Sequence, residues 1–277
     1  MNCEKVTKNI RQELKNYIAE NNIGSLVMGI SGGIDSAICA ALAKPICDEL
    51  NIPLIGRSLP TSTNASGENS RAQEIGKHFC TDFKEIPIQE GFQTLHDIIS
   101  FGTFSDHEID EPKRNSILKG NIKARVRMII LYDLAGATNG MVLSTDNWTE
   151  YLLGFWTLHG DVGDYGMIQE LWKTEVYDLS EWLVVNELEG GAALALQDCV
   201  DCQATDGLGI SNSDLDQIMP GWTGTSKEGY KKVDEILALH INFGRGDTTN
   251  PVISRYHRTE FKRNNPVNIK RNKIDGQ

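Results

Sequence analysis

Apolar residues recur at two different periods along this chain, and the changes of period mark its elements. Val6, Ile10, Leu14 and Ile18 fall four apart, the repeat of one helix face, and predict an amphipathic helix over residues 4–20. The compact run Leu26 to Ile30 then predicts a buried strand at about 25–30, and Pro53 to Leu59 a second. A polar stretch, Thr61 to Asn69, separates that strand from a helix running through Ile75. A third apolar run, Phe83 to Ile88, leads into a helix around Phe92 to Ile99. Ser105 to Asn115 has few apolar residues and reads as a mobile loop, whereas Asn121 to Tyr132 predicts a long helix. Gly140 to Leu143 is the fourth strand, and the remainder reads as mostly helical, punctuated by Gly154, Gly160, Gly163 and Gly166.

Strands that alternate with helices indicate βαβ units. The expected fold class is therefore α/β, an open parallel sheet flanked by helices, in one domain over residues 1–277. Neither an internal repeat nor a low-complexity segment interrupts it.

Composition narrows the function. A net charge of -11 and a pI near 5 argue against a broad nucleic-acid surface, so any basic site is local. No apolar run approaches the roughly 18 residues of a membrane span. Met1 to Lys5 leads into a polar helix and not a signal-peptide core, so a cytoplasmic protein with no membrane or nucleic-acid partner is expected. Cys199 and Cys202 form a lone Cys-x-x-Cys that suits metal binding or redox switching. Zinc needs two more ligands, no second pair lies nearby, and reduced structural thiols are the expectation.

The chemistry starts where the first strand ends. Ser31-Gly32-Gly33-Ile34-Asp35-Ser36 places two glycines where successive N–H groups can converge on phosphate oxygens, and Ser31 and Ser36 add hydroxyls. Ser36 to Ala43 then opens a helix whose N-terminal dipole favours an anion. A carboxylate beside phosphate is repulsive unless a cation intervenes, which marks Asp35 as a magnesium ligand. An ordinary glycine-rich turn is the plain alternative. Neither the Walker A spacing nor the dinucleotide fingerprint occurs. After the fourth strand, Thr145 can bond a base or ribose, and Glu150, one helical turn on, offers a second carboxylate; a helix cap explains the same residues.

The loop resembles that of ATP pyrophosphatases, which adenylate an oxygen before amidation or thiolation. Further motifs are similar, in order, to NAD synthetases: residues 120–128 (GNIKARVRM), 144–150 (STDNWTE), 157–164 (TLHGDVGD), 171–177 (LWKTEVY) and 261–266 (FKRNNP). The resemblance spans roughly residues 5–270 and implies an adenine nucleotide alpha hydrolase-like, Rossmann-like fold. It also implies amidation of deamido-NAD to NAD with ATP, magnesium and ammonia. Gly29, Ile30, Ser31, Gly32, Gly33, Ile34, Asp35 and Ser36 would then hold ATP, with Thr145, Lys173 and Thr205 lining its site. Arg57, after the second strand, is a candidate for the adenosine end. Asp35 and Glu150 would hold Mg2+. Asp35, Lys173 and Asp164 are the catalytic candidates, Asp164 as a base. Arg125, Leu158, Asp164, Phe261 and Lys262 would form the deamido-NAD site, with Leu158 standing where some members have lysine.

Chain length leaves no room for a glutaminase domain, so free ammonia is the expected donor. The family's habit implies a homodimer with the dinucleotide site at its interface. Two other readings keep the loop: a different acceptor, as in GMP-forming amidases or tRNA-thiolating relatives, and a non-catalytic nucleotide sensor. The acidic balance disfavours tRNA, and the two carboxylates disfavour a sensor.

Overall fold

Alternation along the strands divides the apolar residues between two cores, one on each face of a parallel sheet. The computed structural model describes residues 1–103, 112–205 and 207–275, with side chains throughout except at 101–103, 112 and 113. Its strands are β1 (Ser25–Gly29), β2 (Leu54–Ser58), β3 (Asp82–Glu85), β4 (Gly140–Ser144) and β5 (Tyr165–Gly166). They lie in the order β3-β2-β1-β4-β5, and every pairing is parallel. Leu26, Met28, Leu54, Met141 and Leu143 serve one core, while Val27, Ile55 and Val142 serve the other. Register keeps these sets level, since Leu26 lies opposite Leu54 and Met141, and Val27 opposite Ile55 and Val142.

Helices cover both faces. α1 (Cys3–Asn21) precedes β1; α2 (Ile34–Leu50) and α3 (Ser66–Phe79) join the first three strands. α4 (Gln89–Thr103) and α5 (Pro112–Ala137) lead to β4, where α5 contributes Val126, Leu131 and Ala135 to the second core. α6 (Trp148–Leu153) follows β4. Beyond β5 come α7 (Lys173–Asn186), α8 (Gly190–Asp201), α9 (Asp214–Ile218), α10 (Ser226–Phe243), α11 (Pro251–Arg258), α12 (Glu260–Arg263) and α13 (Arg271–Ile274). Buried alanines at 37, 40, 41 and 43 let α2 sit closely between the sheet and its neighbours α1, α7 and α8.

Three expectations need adjusting. Residues 112–115, read as part of a loop, form the first turn of α5, which starts at Pro112, a residue suited to the first helical position. The rest of that expected loop, 105–111, lies outside the described residues. The third strand ends at Glu85, although Ile86 N and Ile88 N still bond to Ser58 O and Pro60 O at 2.8 and 3.0 Å. β5 is two residues long and too short to leave an apolar period.

Topology then sets the place for chemistry. From β1 the chain moves outward through α2 to β2 and β3, and it returns past β1 to β4 on the other side. The carboxyl ends of β1 and β4 therefore diverge, leaving a crevice at the switch point.

Candidate active site

The loop after β1 is fixed by its own hydroxyls. Ser31 Oγ and Ser36 Oγ lie 3.0 Å apart, Gly33 N donates to Ser31 Oγ at 3.2 Å, and Ser36 Oγ donates to Gly33 O at 3.1 Å. Gly32 has φ +80°, and a Cβ there would meet Glu68 O at 2.2 Å, so both conformation and α3 demand glycine. Arg71 Nε donates to Gly32 O at 2.8 Å and Cys199 Sγ reaches the same oxygen at 3.5 Å. Asp35 follows in the first turn of α2.

Across the crevice, Asn147 caps α6. Its Oδ1 accepts from Glu150 N at 3.0 Å, while Asn147 N donates back to Glu150 Oε2 at 3.4 Å. The cap expected for this segment and the carboxylate expected for an ion thus coexist, because Glu150 Oε1 remains directed at Lys173 Nζ, 3.1 Å away. Lys173 Nζ also bonds Asp35 Oδ2, and Asn147 Nδ2 donates to Asp35 Oδ1 at 2.9 Å. Lys173 is 1% exposed and begins α7, with its ammonium 5.0 Å from the centre of the Tyr230 ring.

Two carboxylates and one ammonium, with Glu150 and Lys173 buried and Asp35 partly so, leave the cluster one negative charge in excess when fully ionised. Burial first, then Asp35, pushes Glu150 up to about 8, against the opposing pull of Lys173. Burial disfavours the Lys173 cation, but Asp35 and Glu150 more than offset this and raise its proton affinity above the ordinary lysine value. Hard oxygen donors on a cluster that becomes over-negative once Glu150 ionises fit magnesium, which uses one or two carboxylates and fills its octahedron with phosphate and water oxygens. Among the described residues no group of three or more His, Cys, Asp or Glu could hold an ion by itself. Asp35 and Glu150 therefore fit a cation that arrives with phosphate.

Every loop position from Gly29 to Ser36 except Gly32 lines one cavity, together with Arg57, Thr145, Glu150, Lys173 and Thr205. Two of these are engaged elsewhere. Arg57 spends its guanidinium on Gly56 O, Asp82 O and Asp82 Oδ2, at 2.8, 3.1 and 2.7 Å, so it acts as a strand clamp in the cavity wall. Thr205 Oγ1 bonds Glu68 Oε1. Arg71, Arg127, Asp146, Asp161 and Asp214 also line the cavity without having been singled out from sequence. Arg127, Asp146 and Asp161 fall inside the motifs quoted above; Arg71 and Asp214 carried no local signal. Cys199 and Cys202 line it too, both thiols are free, and burial pushes Cys199 up to about 12.

The dinucleotide candidates lie outside this cavity. Arg125 is exposed on α5, with Nε 3.3 Å from Leu158 O. Asp164 accepts from Tyr132 Oη at 2.6 Å and from Val142 N at 3.0 Å, which ties it to α5 and β4 and away from the crevice. That placement does not suit Asp164 as a base at the cavity; besides Asp35 and Glu150, the carboxylates that line it are Glu68, Asp146, Asp161 and Asp214. Phe261 is 57% exposed, and Lys262 Nζ donates to Gly154 O at 2.8 Å and to Trp156 O. Burial and the nearby Arg255 bring Lys262 down to about 8.

Fold and crevice together define an α/β nucleotide enzyme working at the carboxyl edge of a parallel sheet. The NAD synthase family model matches residues 6–266, and the chain belongs to that family. The NH(3)-dependent NAD(+) synthetase of Syntrophomonas wolfei is 29% identical over 245 residues, covering 86% of this chain and 92% of its own. NMN synthetase from Francisella tularensis superposes with a TM-score of 0.76 at 24% identity, over 98% of this chain and 99% of that one. For NH3-dependent NAD synthetase from Campylobacter jejuni, in complex with the nitrate ion, the TM-score is 0.69 at 24% identity, over 98% and 100%. The two superpositions speak for the fold.

Proposed function

We propose that this chain amidates deamido-NAD to NAD with ATP and ammonia, through an acyl-adenylate, releasing AMP and pyrophosphate. The observation that carries this reading is Lys173 held between Asp35 and Glu150 beside the Ser31 to Ser36 loop. A nicotinate carboxylate is a poor electrophile because its oxygen leaves badly. Its attack on the α-phosphorus of ATP breaks the bond to pyrophosphate and turns that oxygen into part of AMP, a far better leaving group. Loop amides and the start of α2 receive the phosphates. Lys173, held in place by its carboxylates, stabilises the charge that grows on the phosphates. Asp35 and Glu150 hold magnesium, which when bound supplies charge neutralisation on the phosphates. Ammonia then attacks the carbonyl carbon, AMP departs, and the amide nitrogen loses a proton.

Ammonia as donor is supported by the activity named for the Syntrophomonas relative. A homodimer is supported by apolar side chains left exposed on α4 and α5, among them Ile98 at 61% and Ile129 at 63%, on the helix that carries Arg125. Among the described residues no helix is long and apolar enough to cross a membrane. Incubation with ATP, Mg2+, ammonium and deamido-NAD is expected to yield NAD, AMP and pyrophosphate. ADP as product, or turnover independent of the acceptor, contradicts the proposal.

A second reading takes nicotinate mononucleotide as acceptor, by the same chemistry. It is favoured by the uncharged Leu158, which removes one contact to a larger acceptor. Equal concentrations of the two acceptors in one assay separate the readings by the ratio of their kcat/KM values.

A further inference from the structure

Glu150 and Lys173 come from different helices, and nothing in either helix alone fixes the distance between them. The residues beside them do. Thr149, which precedes Glu150, donates from Oγ1 to Asp234 Oδ1 at 2.5 Å, and the same Oγ1 accepts from Lys173 N at 2.9 Å. Thr174, which follows Lys173, donates to Asp234 Oδ2 twice, from N at 2.9 Å and from Oγ1 at 2.8 Å. One carboxylate thus closes a ring through the first turns of α6 and α7. Thr149 is wholly buried and Asp234 is 6% exposed, so the two Thr149 bonds are made without competition from water. Through Thr174 N the carboxylate also meets the favourable dipole at the start of α7. Asp234 belongs to α10, one turn after Tyr230, whose ring flanks the Lys173 ammonium.

We propose that Asp234 is a positioning residue for the reaction: it acts through Thr149 and Thr174 to hold Lys173 at its working distance from Glu150 and Asp35. This rests on the functional reading above. Asparagine cannot replace it, because Thr174 N, Thr174 Oγ1 and Thr149 Oγ1 all donate to the carboxylate. With Nδ2 toward Thr174 the amide meets an N–H donor, and with Nδ2 toward Thr149 the hydroxyl must become the acceptor and its proton loses its partner in the ring. Nor can valine replace Thr149, which leaves both Lys173 N and Asp234 Oδ1 unpaired in a dry site. Serine at 149 keeps the relay.

The test compares Asp234→Asn, Thr149→Val and Thr149→Ser with wild type, at a temperature where melting curves show all four folded. MgATP affinity is measured by calorimetry, kcat and KM by AMP release, and exchange of the Lys173 amide hydrogen by NMR. The proposal expects Asp234→Asn and Thr149→Val to lower kcat at least about tenfold, with the MgATP Kd within about threefold of wild type. It also expects Lys173 amide exchange to quicken in both, and Thr149→Ser to restore both quantities. Unchanged kcat in the two disruptive variants, a loss confined to the melting temperature, or a Thr149→Ser as impaired as Thr149→Val overturns it. Absence of AMP formation by wild type defeats the functional reading instead. The amide-exchange arm then still decides whether the Asp234 ring holds Lys173, with unquickened exchange counting against it.

Discussion

The crevice between β1 and β4 and the outer face around Arg125, Asp164 and Lys262 handle charge in opposite ways. In the crevice, Lys173 is enclosed by Asp35 and Glu150, and each of these is in turn bonded to Asn147. On the outer face, Arg125 is exposed and offers its Nε to a backbone oxygen, and Asp164 is satisfied by Tyr132 and a strand amide. A pre-set buried cluster suits the step in which charge moves, since its orientation costs no reorganisation at the moment of reaction. Groups nearer the surface and bonded mostly to backbone, such as Arg125 and Lys262, suit recognition of a ligand or of a second chain, where they exchange one partner for another. The two regions should therefore respond differently to substitution, the first in kcat and the second in KM.

The largest effect is expected in the crevice. Lys173→Met should lower kcat by about a hundred- to a thousandfold, the range for loss of one donor to developing charge, as read by pyrophosphate release. Asp35→Asn should match it and also abolish the magnesium dependence of ATP binding seen by calorimetry. Glu150→Gln should cost about tenfold to a hundredfold and, unlike the others, change the response to pH. Folded Glu150 keeps its proton up to about 8, whereas a glutamate with its ordinary value near 4.5 has already lost it. Between those values the native chain binds the additional proton, so the stability owed to this group falls as pH rises through that window. Binding of Mg2+ needs the carboxylate, so MgATP affinity should rise several-fold between about pH 7 and 9, and Glu150→Gln should flatten both trends. On the outer face, Arg125→Ala and Lys262→Ala should raise the acceptor KM by about tenfold with kcat changed less than about threefold. An equal loss in kcat there would erase the contrast between the regions. Thr205→Val, which removes only a bond to Glu68, should have the smallest effect, under about threefold in the KM for ATP.

How legible each region was in the sequence follows from the range of the forces that build it. Asp35 announced itself because the glycines, hydroxyls and carboxylate that define the loop lie within six consecutive residues, directly after an apolar run. Strands β1, β2 and β4 were readable for a similar reason: each contributes side chains to two cores, so its apolar run is continuous, whereas β3 at the sheet edge offers only Phe83 to one of them. The first turn of α5 has no such pressure, with Arg114 and Asn115 exposed, and read as loop. Arg57 shows the opposite case, lining the cavity with its charge already engaged. A cation at a strand end reads as a ligand, but its partner is Asp82 on the neighbouring strand, a pairing that only the sheet order reveals. Asp234 was silent because a carboxylate within a helix ordinarily marks a solvated face; its burial depends on α6 and α7 meeting α10. Asp146 and Asp161 lay inside recognised motifs, yet nothing local told them from turn residues.

The most direct test of the account follows oxygen. Deamido-NAD labelled with 18O in both carboxylate oxygens is turned over with ATP, Mg2+ and ammonium, and the products are weighed by mass spectrometry. Attack of the carboxylate on the α-phosphorus predicts AMP carrying one 18O, NAD retaining the other, and unlabelled pyrophosphate. AMP without label, or label in pyrophosphate or inorganic phosphate, would contradict it.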